Sequence, residues 1–447
     1  MAGVGARELA DTLAGSGVRG VALTWVDNAG ITRVKAVPVD RLEAATSSGV
    51  GMSPVFDVYG SDDSMTTGAF TGGPVGDLRL FPDLDRVTQL KPTPRWAWAP
   101  VDRRTQEGEP YRGCQRTFAR TMSAKAAEAE VALKMAFEVE WFVGRDEGDG
   151  TTAACRGPAY GMTRVIELSD YLADVLDAMA AEGVPVEQLH PEYAAGQMEL
   201  SVGATDPVEA ADRLVLVKQT IRAVSQSHGL RTSFAPVVVA GKVGNGGHLH
   251  LSVWSGPSNL LAGGDGPYGL TARGESALAG LLDHLPALCA VGAPSVASYL
   301  RLVPQRWAGA FQCWGRENRE AGLRLVTGTR GTESTVANAE LKCFDLSANP
   351  YLVVGVVTAV VCAALDRGGR LPREVAVDPA GLPPGEQPSR LPQSLKEAVA
   401  ALEQDDVLPV AMGEVLFDAF VAVRRAEAGR YQGWNDDEVV AATRWLQ

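Results

Sequence analysis

The sequence predicts a mixed α+β fold in two domains, a small sheet domain followed by a larger one. Two observations carry this. The first hundred residues hold short alternating β-rich runs separated by turn residues, and the remainder alternates helical stretches with isolated strands. At 447 residues the chain is long enough for more than one core, and 46% hydrophobic with 21% charged residues is the composition of a folded globular protein.

Val21 to Val26 and Ile31 to Pro38 alternate apolar and polar residues around Asp27-Asn-Ala-Gly30, a hairpin turn. Residues 51–76, rich in Gly, Ser, Asp and Thr, read as loop. Leu78 to Phe81 and Trp96 to Trp98 supply further strands, and the first domain, residues 1–108, closes there. In the second, residues 109–447, helical stretches are expected over Thr117 to Ala129, Ser169 to Glu182, Val208 to His228 and Glu275 to Leu288. Strands are expected over Ala136 to Val143 and His248 to Trp254. Beyond a Pro- and Gly-rich connection, Arg367 to Pro392, two more helical stretches follow, Ser394 to Glu403 and Glu414 to Glu427.

The apolar run from Tyr351 to Leu365 is shorter than the roughly 20 residues that span a bilayer, so it reads as a buried helix. With no basic-then-apolar N-terminal segment, a cytoplasmic location is expected and no membrane partner. The six cysteines form no CxxC pair, which argues against a zinc knuckle or disulfide framework. A formal net charge of −13 disfavours a nucleic-acid partner, whose phosphates need clustered cations. An acidic surface attracts cations and fits polyamines weakly, although solubility alone is the commoner reason for such a charge.

Five segments carry candidate chemistry. In Phe137-Glu138-Val-Glu140-Trp141 the two carboxylates point the same way on a strand. Side by side near a core they repel, and a hard divalent cation would resolve the repulsion; a solvated strand face is the alternative. His190-Pro-Glu192 and Glu199 flank a bend at Gly196, which could turn both acids into one cavity, although surface glutamates at such spacing are common. Val243-Gly244-Asn-Gly-Gly-His248-Leu-His250-Leu-Ser252 aims two of the five histidines from a strand that begins after a glycine loop, a pattern suited to a metal or phosphate. Arg301-Leu-Val-Pro304, then Trp314 to Arg324 with Asn318 and Arg319, concentrates guanidinium forks suited to carboxylate or phosphate oxygens. Glu340-Leu-Lys342 adds one more strand acid with a cation on the same side, ahead of Ala348-Asn-Pro-Tyr351.

In this order, ExE, HPE with GQxE, GxGxHxH, RLVP with ENR, ExK and ANPY, the motifs resemble those of glutamine synthetase and its relatives over roughly residues 15 to 430. The resemblance implies a β-grasp N-terminal domain and a catalytic domain whose antiparallel strands form an open funnel. It also implies a homo-oligomer, a dodecamer of two hexameric rings with sites between neighbouring subunits. Carried over residue by residue, it implies one Mg²⁺ or Mn²⁺ held by Glu140, Glu192 and Glu199 and a second held by Glu138, His248 and Glu340. Two ions per site are expected, three at most. His250, Ser252, Arg319 and Arg324 would contact ATP, while Gly244, Arg301 and Lys342 would lie at glutamate. The implied activity is ATP-dependent amide formation on the γ-carboxyl of glutamate through γ-glutamyl phosphate.

The departures bear on the amine. Three residues beyond the RLVP proline the ammonia-using enzymes carry a glutamate; here Trp307 stands there, and an aromatic ring can bracket an alkylammonium. Asn338 and Lys342 replace arginines, and Val243 replaces an asparagine. These changes resemble the actinobacterial subgroup that γ-glutamylates polyamines such as putrescine, spermidine and spermine. The alternatives are glutamine synthesis from ammonium, a monoamine such as ethanolamine, or a catalytically silent structural homologue. Asp57 is the expected amine-site aspartate, with Asp62 and Asp63 as competitors.

Overall fold

The computed structural model describes residues 5–447. Two sheets organise them. The first contains β1 (Gly20–Val26), β2 (Thr32–Pro38), β3 (Val50–Met52), β4 (Leu78–Pro82), β5 (Thr88–Gln89) and β6 (Trp96–Arg104). Its order is β2-β1-β6-β4-β3, with β5 paired to β6. The β1–β2 hairpin forms where the Asp27 to Gly30 turn predicts it: the Asp27 carboxylate accepts the backbone N–H groups of Ala29 and Ile31, both at 2.9 Å, and so fixes the turn. β1 lies parallel to β6, which requires the long excursion through β2, β3 and β4 between them. Val21, Leu23, Leu80, Ala97 and Ala99 meet in an apolar cluster of their own beneath this sheet.

The second sheet contains β7 (Ala132–Arg145), β8 (Val186–Pro191), β9 (Gln197–Val202), β10 (Leu230–Ser233), β11 (Leu249–Ser255), β12 (Ser258–Asn259), β13 (Phe311–Arg316), β14 (Ala321–Val326) and β15 (Asn338–Leu341). Their order is β13-β14-β15-β11-β7-β9-β8, with β10 on β7 and β12 on β11. All pairings are antiparallel except β13 with β14. Both sheets and the helices around them bear out the α+β expectation.

The helix Pro350–Arg367 has the length and apolarity to cross a membrane, yet it is mostly buried against the helices Gln115–Glu128, Ala272–Asp283 and Pro207–Ser227. A core helix can be apolar on every side because it meets protein on every side. Two expected helices differ in outline. The stretch from Glu275 to Leu288 divides into Ala272–Asp283 and Leu285–Gly292, because Pro286 lacks an N–H and fits only in the first turn of a new helix. The last long helix begins earlier than expected, at Leu408, and bends at Gly413.

Buried polar contacts tie the first sheet to the rest. Arg116 pairs with Asp83, Asp102 and Asp212 at 2.6, 3.1 and 2.8 Å. Asn349 caps the Pro350 helix and donates to the carbonyls of Val26 and Asp27, both at 3.0 Å.

Candidate active site

The second sheet curls so that its central strands present one polar face to a cavity of about 640 Å³. Strand alternation and antiparallel register bring the acids together. Glu140 on β7 sits opposite Glu199 on β9, which sits opposite His190 on β8. On the other flank of β7, Glu138 accepts from the His248 side, and His250 on β11 sits opposite Glu340 on β15, itself opposite Arg324 on β14. A slip of one residue in any of these pairings would turn the acids into the hydrophobic core.

Five of the six expected metal ligands, Glu138, Glu140, Glu192, Glu199 and His248, line this one cavity. Glu340 lies just behind, buried, 3.2 Å from His248 Nδ1. Possible ligand atoms gather in two groups. Glu138, His250 and Glu340 offer donors within 4.8 Å of one another, and so do His190, Glu192 and Glu199. Both imidazoles touch Glu138: His248 Nδ1 at 3.0 Å and His250 Nε2 at 3.2 Å. His248 Nε2 is also 3.7 Å from Glu140, so this ring bridges the two groups. Glu140 is held from behind by Gln197 Nε2 and the Gly246 N–H, each at 2.9 Å.

Charge is unbalanced here in a way that suits divalent cations. Burial, with the carboxylates of Glu199 and Glu192 alongside, pushes Glu140 up to about 8, and burial also raises Glu199. On the other flank, burial would raise Glu340, but Lys342 at 2.9 Å and the two histidines bring it down to about 2. Burial and the nearby Lys342 lower His248 to about 4, leaving the neutral imidazole that a metal requires. The Nε2 of His250 and Nδ1 of His190 are buried and face carboxylates of Glu138 and Glu192, at 3.2 and 3.6 Å, without a well-directed hydrogen bond. Ring nitrogens without well-directed hydrogen bonds among converging carboxylates fit a donor set of mixed oxygen and nitrogen for Mg²⁺ or Mn²⁺.

Positive groups face the acids across the cavity. Arg319 is exposed on its wall, and Arg324 spans Glu340 at 3.0 Å and Glu317 at 2.7 Å. Arg301 is buried, donates to the carbonyls of Lys342 and Phe344, and keeps an unpartnered Nε. Gly244 lies directly against it: a Cβ there would stand 2.1 Å from the Pro236 carbonyl oxygen and 2.9 Å from Arg301 Cγ. At Gly246 a Cβ would stand 2.3 Å from His248 Nε2. The glycine loop is therefore demanded by how closely backbone approaches the site.

Trp307 lines the cavity, its indole stacked on Tyr193 with ring centroids 4.5 Å apart. The backbone N–H of Trp307 donates to Glu320 at 2.7 Å, and that of Gln305 donates to the other Glu320 oxygen, which pins the loop. Tyr160 stands edge-on to Tyr193, stacks on His190 at 5.3 Å and donates its hydroxyl to Glu192. Sequence reading gave no role to His190, Tyr160, Tyr193 or Gln197. His190 was detectable, because it lies two residues before Glu192 and shares its side of the chain; Tyr160 sits in a loop that carries no periodicity.

Two expected residues lie elsewhere. Ser252 is on β11 two residues beyond His250, outside the cavity wall, and its hydroxyl accepts the Trp254 indole N–H at 2.8 Å. Asp57 is fully buried and does not reach the cavity of its own chain; Arg103 at 2.6 Å and the Tyr111 hydroxyl at 2.9 Å engage both its oxygens. Asp62 pairs with Arg430 and Asp63 with Arg33, so these too are committed elsewhere.

Comparison with known proteins agrees with the geometry. Residues 112–439 match the glutamine synthetase catalytic domain. The chain is 56% identical to gamma-glutamylpolyamine synthetase GlnA3 of Streptomyces coelicolor, covering 98% of this chain and 96% of that protein. It is 27% identical to a glutamine synthetase of Halobacterium salinarum, covering 96% and 95% of the two chains. Among solved structures, a glutamine synthase homolog superposes with a TM-score of 0.86 at 30% identity, covering 96% of this chain and 99% of that one. A GmaS structure in complex with ADP superposes with a TM-score of 0.84 at 27% identity, covering 96% and 97%. With its catalytic-domain match spanning most of the sequence and its acids and histidines gathered on one sheet face, this chain belongs to the glutamine synthetase family.

Proposed function

We propose that the chain is an ATP-dependent glutamate–amine ligase that joins a polyamine such as putrescine, spermidine or spermine to the γ-carboxyl of glutamate. The reading is carried by one observation: carboxylates and imidazoles from four strands and the turns beside them line a single cavity that an aromatic wall closes on one side, with Glu340 of a fifth strand just behind. The 56% identity to a γ-glutamylpolyamine synthetase supports the choice of amine.

Glutamine synthetase relatives work with ATP and a divalent metal. Glu140, Glu192 and Glu199 would hold one Mg²⁺ or Mn²⁺ and Glu138, His248 and Glu340 a second, with His190 and His250 within reach as further donors. Such ions supply positive charge to the triphosphate as negative charge migrates to the leaving ADP. Arg319, Arg324 and His250 face the same charge from the protein. Arg301, Lys342 and the Gly244 backbone orient glutamate so that a γ-carboxylate oxygen attacks the γ-phosphorus and ADP departs. The ammonium gives up a proton to solvent, and the free amine nitrogen adds to the acyl carbon of γ-glutamyl phosphate. Inorganic phosphate leaves with the C–O bonding electrons, and the nitrogen's second proton passes to the departing phosphate or solvent. Trp307 and Tyr193 offer ring faces to the alkylammonium while Glu192 and Glu199 attract its charge.

Two distinct apolar clusters support a division near residue 108. We further infer a cytoplasmic homo-oligomer, a dodecamer of two hexameric rings, whose mass in solution is checked by light scattering. The activity is tested by ATP-dependent phosphate release with Mg²⁺, glutamate and a panel of ammonium, ethanolamine, putrescine, spermidine and spermine. Polyamines should stimulate release most; stimulation by ammonium alone would overturn the choice of amine.

A further inference from the structure

A second polar cavity, of about 230 Å³, lies beyond the catalytic one, between the helix Pro207–Ser227, β10, the β1–β2 turn and the C-terminal residues. Its wall carries three cations, Lys218, Arg222 and Arg231, and no Asp or Glu side chain. In a chain of net charge −13, a pocket with three positive side chains and no acidic one is a local reversal of sign.

None of the three cations forms an ion pair among the described residues. Among the described residues, no carboxylate, the terminal one of Gln447 included, comes within the 4.0 Å that defines an ion pair with any of them. Lys218 is buried; its ammonium donates once, to the Leu346 carbonyl at 2.6 Å, and rests 5.3 Å from the Phe234 ring. Arg222 and Arg231 make no side-chain hydrogen bond among the described residues. They are placed by aromatic faces instead, Arg222 5.0 Å from Phe234 and Arg231 3.9 Å from Trp445. Aromatic stacking orients a guanidinium while leaving its in-plane N–H donors free for an oxyanion. Desolvation lowers Lys218 to about 7, with the neighbouring Arg222 adding to it, and lowers Arg222 to about 10. Asp345 opposes this at Lys218 without pairing with it, so positive charge stays in excess in the pocket, and such charge is costly to bury unless an anion joins it.

We propose that this cavity is a binding site for a phosphate-class oxyanion, held by Arg222, Arg231 and Lys218 with Thr232 alongside, separate from the catalytic cavity. Its volume suits inorganic phosphate or the phosphate group of a nucleoside monophosphate. The site rests on residues that play no part in the proposed ligase chemistry and stands independently of it.

The test measures the melting temperature of the full-length protein and calorimetric binding at constant ionic strength, comparing inorganic phosphate, AMP and chloride. Phosphate should stabilise the parent protein beyond chloride. Arg222→Gln and Arg231→Gln should each remove most of that increment and weaken binding about tenfold, the loss of one charge-assisted contact. Neither variant should melt below the parent in anion-free buffer, because each relieves an unpaired cation, and both should retain turnover. Tighter binding of AMP than of phosphate would identify a nucleotide as the source of the oxyanion, and equal binding a free ion; either supports the site. Equal stabilisation of parent and variants by phosphate, or no stabilisation beyond chloride, would overturn it.

Discussion

Trp307 lies flat on Tyr193, the two ring planes 8° from parallel and their centroids 4.5 Å apart. The pair stands at the edge of the carboxylate cavity, Trp307 41% exposed and Tyr193 42% exposed, so both rings keep area for a ligand. Replacing the indole by a carboxylate should attract a bare ammonium and remove the apolar platform. Trp307→Glu should therefore shift the ratio of kcat/KM for spermine over ammonium toward ammonium by about tenfold or more, the scale of one cation–π contact in a desolvated site. Unchanged selectivity would show that this ring does not shape the amine site.

Glu138 touches both His248 and His250 and stands at the junction of the two ligand groups. Glu138→Ala and His248→Ala should each reduce turnover by several orders of magnitude and lower the affinity for Mn²⁺, measured by electron paramagnetic resonance titration. Folded variants that keep parental activity would refute the ligand assignment.

Asp57 and Arg103 form an ion pair with both side chains sealed from solvent. Removing one partner strands the other charge, so Asp57→Ala should cost about 3–5 kcal/mol of stability, read by denaturant unfolding. A variant with unaltered stability but no amine turnover would instead place Asp57 in the chemistry, at a site completed by another subunit.

His284 and Asp405 join two helices, with Nδ1 2.6 Å from Oδ2, while Asp405 also accepts the backbone N–H groups of Val407 and Leu408 at the start of the last long helix. The Asp405 hydrogen bond raises the His284 pKa against the opposing effect of burial. A histidine raised in the folded state contributes stability that is full below its unfolded value, about 6.5, and is lost as pH rises through the folded one. Asp405 is lowered, because its contacts with His284 and the helix N–H groups outweigh burial, so its contribution is lost as pH falls below about 4. The stability difference between the parent and His284→Gln should be larger at pH 6 than at pH 9. A difference independent of pH would mean the pair does not carry charge.

Much of this site was legible in the sequence because strands have a period of two. Glu138 with Glu140, His248 with His250, and Glu340 with Lys342 each declare a shared face before any fold is known. What no spacing declares is register. That Glu140 meets Glu199 and Glu199 meets His190 depends on pairing between strands more than fifty residues apart in one case and set by a hairpin in the other. The resemblance to a family supplied that pairing in advance. Tyr160 and Tyr193 escaped notice because they lie outside regular strands, where side-chain direction is set by tertiary contacts. Asp57 is the expected amine-site aspartate, and no spacing announces that Arg103, distant in sequence and brought back by β6, pairs with it inside its own chain.

The most direct test follows the oxygen atoms of glutamate labelled with heavy oxygen in its γ-carboxylate. Incubation with ATP, Mg²⁺ and spermine should deliver one heavy oxygen to the released phosphate and retain the other in the γ-glutamyl amide, both read by mass spectrometry. Phosphate released without label, or an amine that leaves the chain unable to form amide, would contradict a ligase that works through γ-glutamyl phosphate.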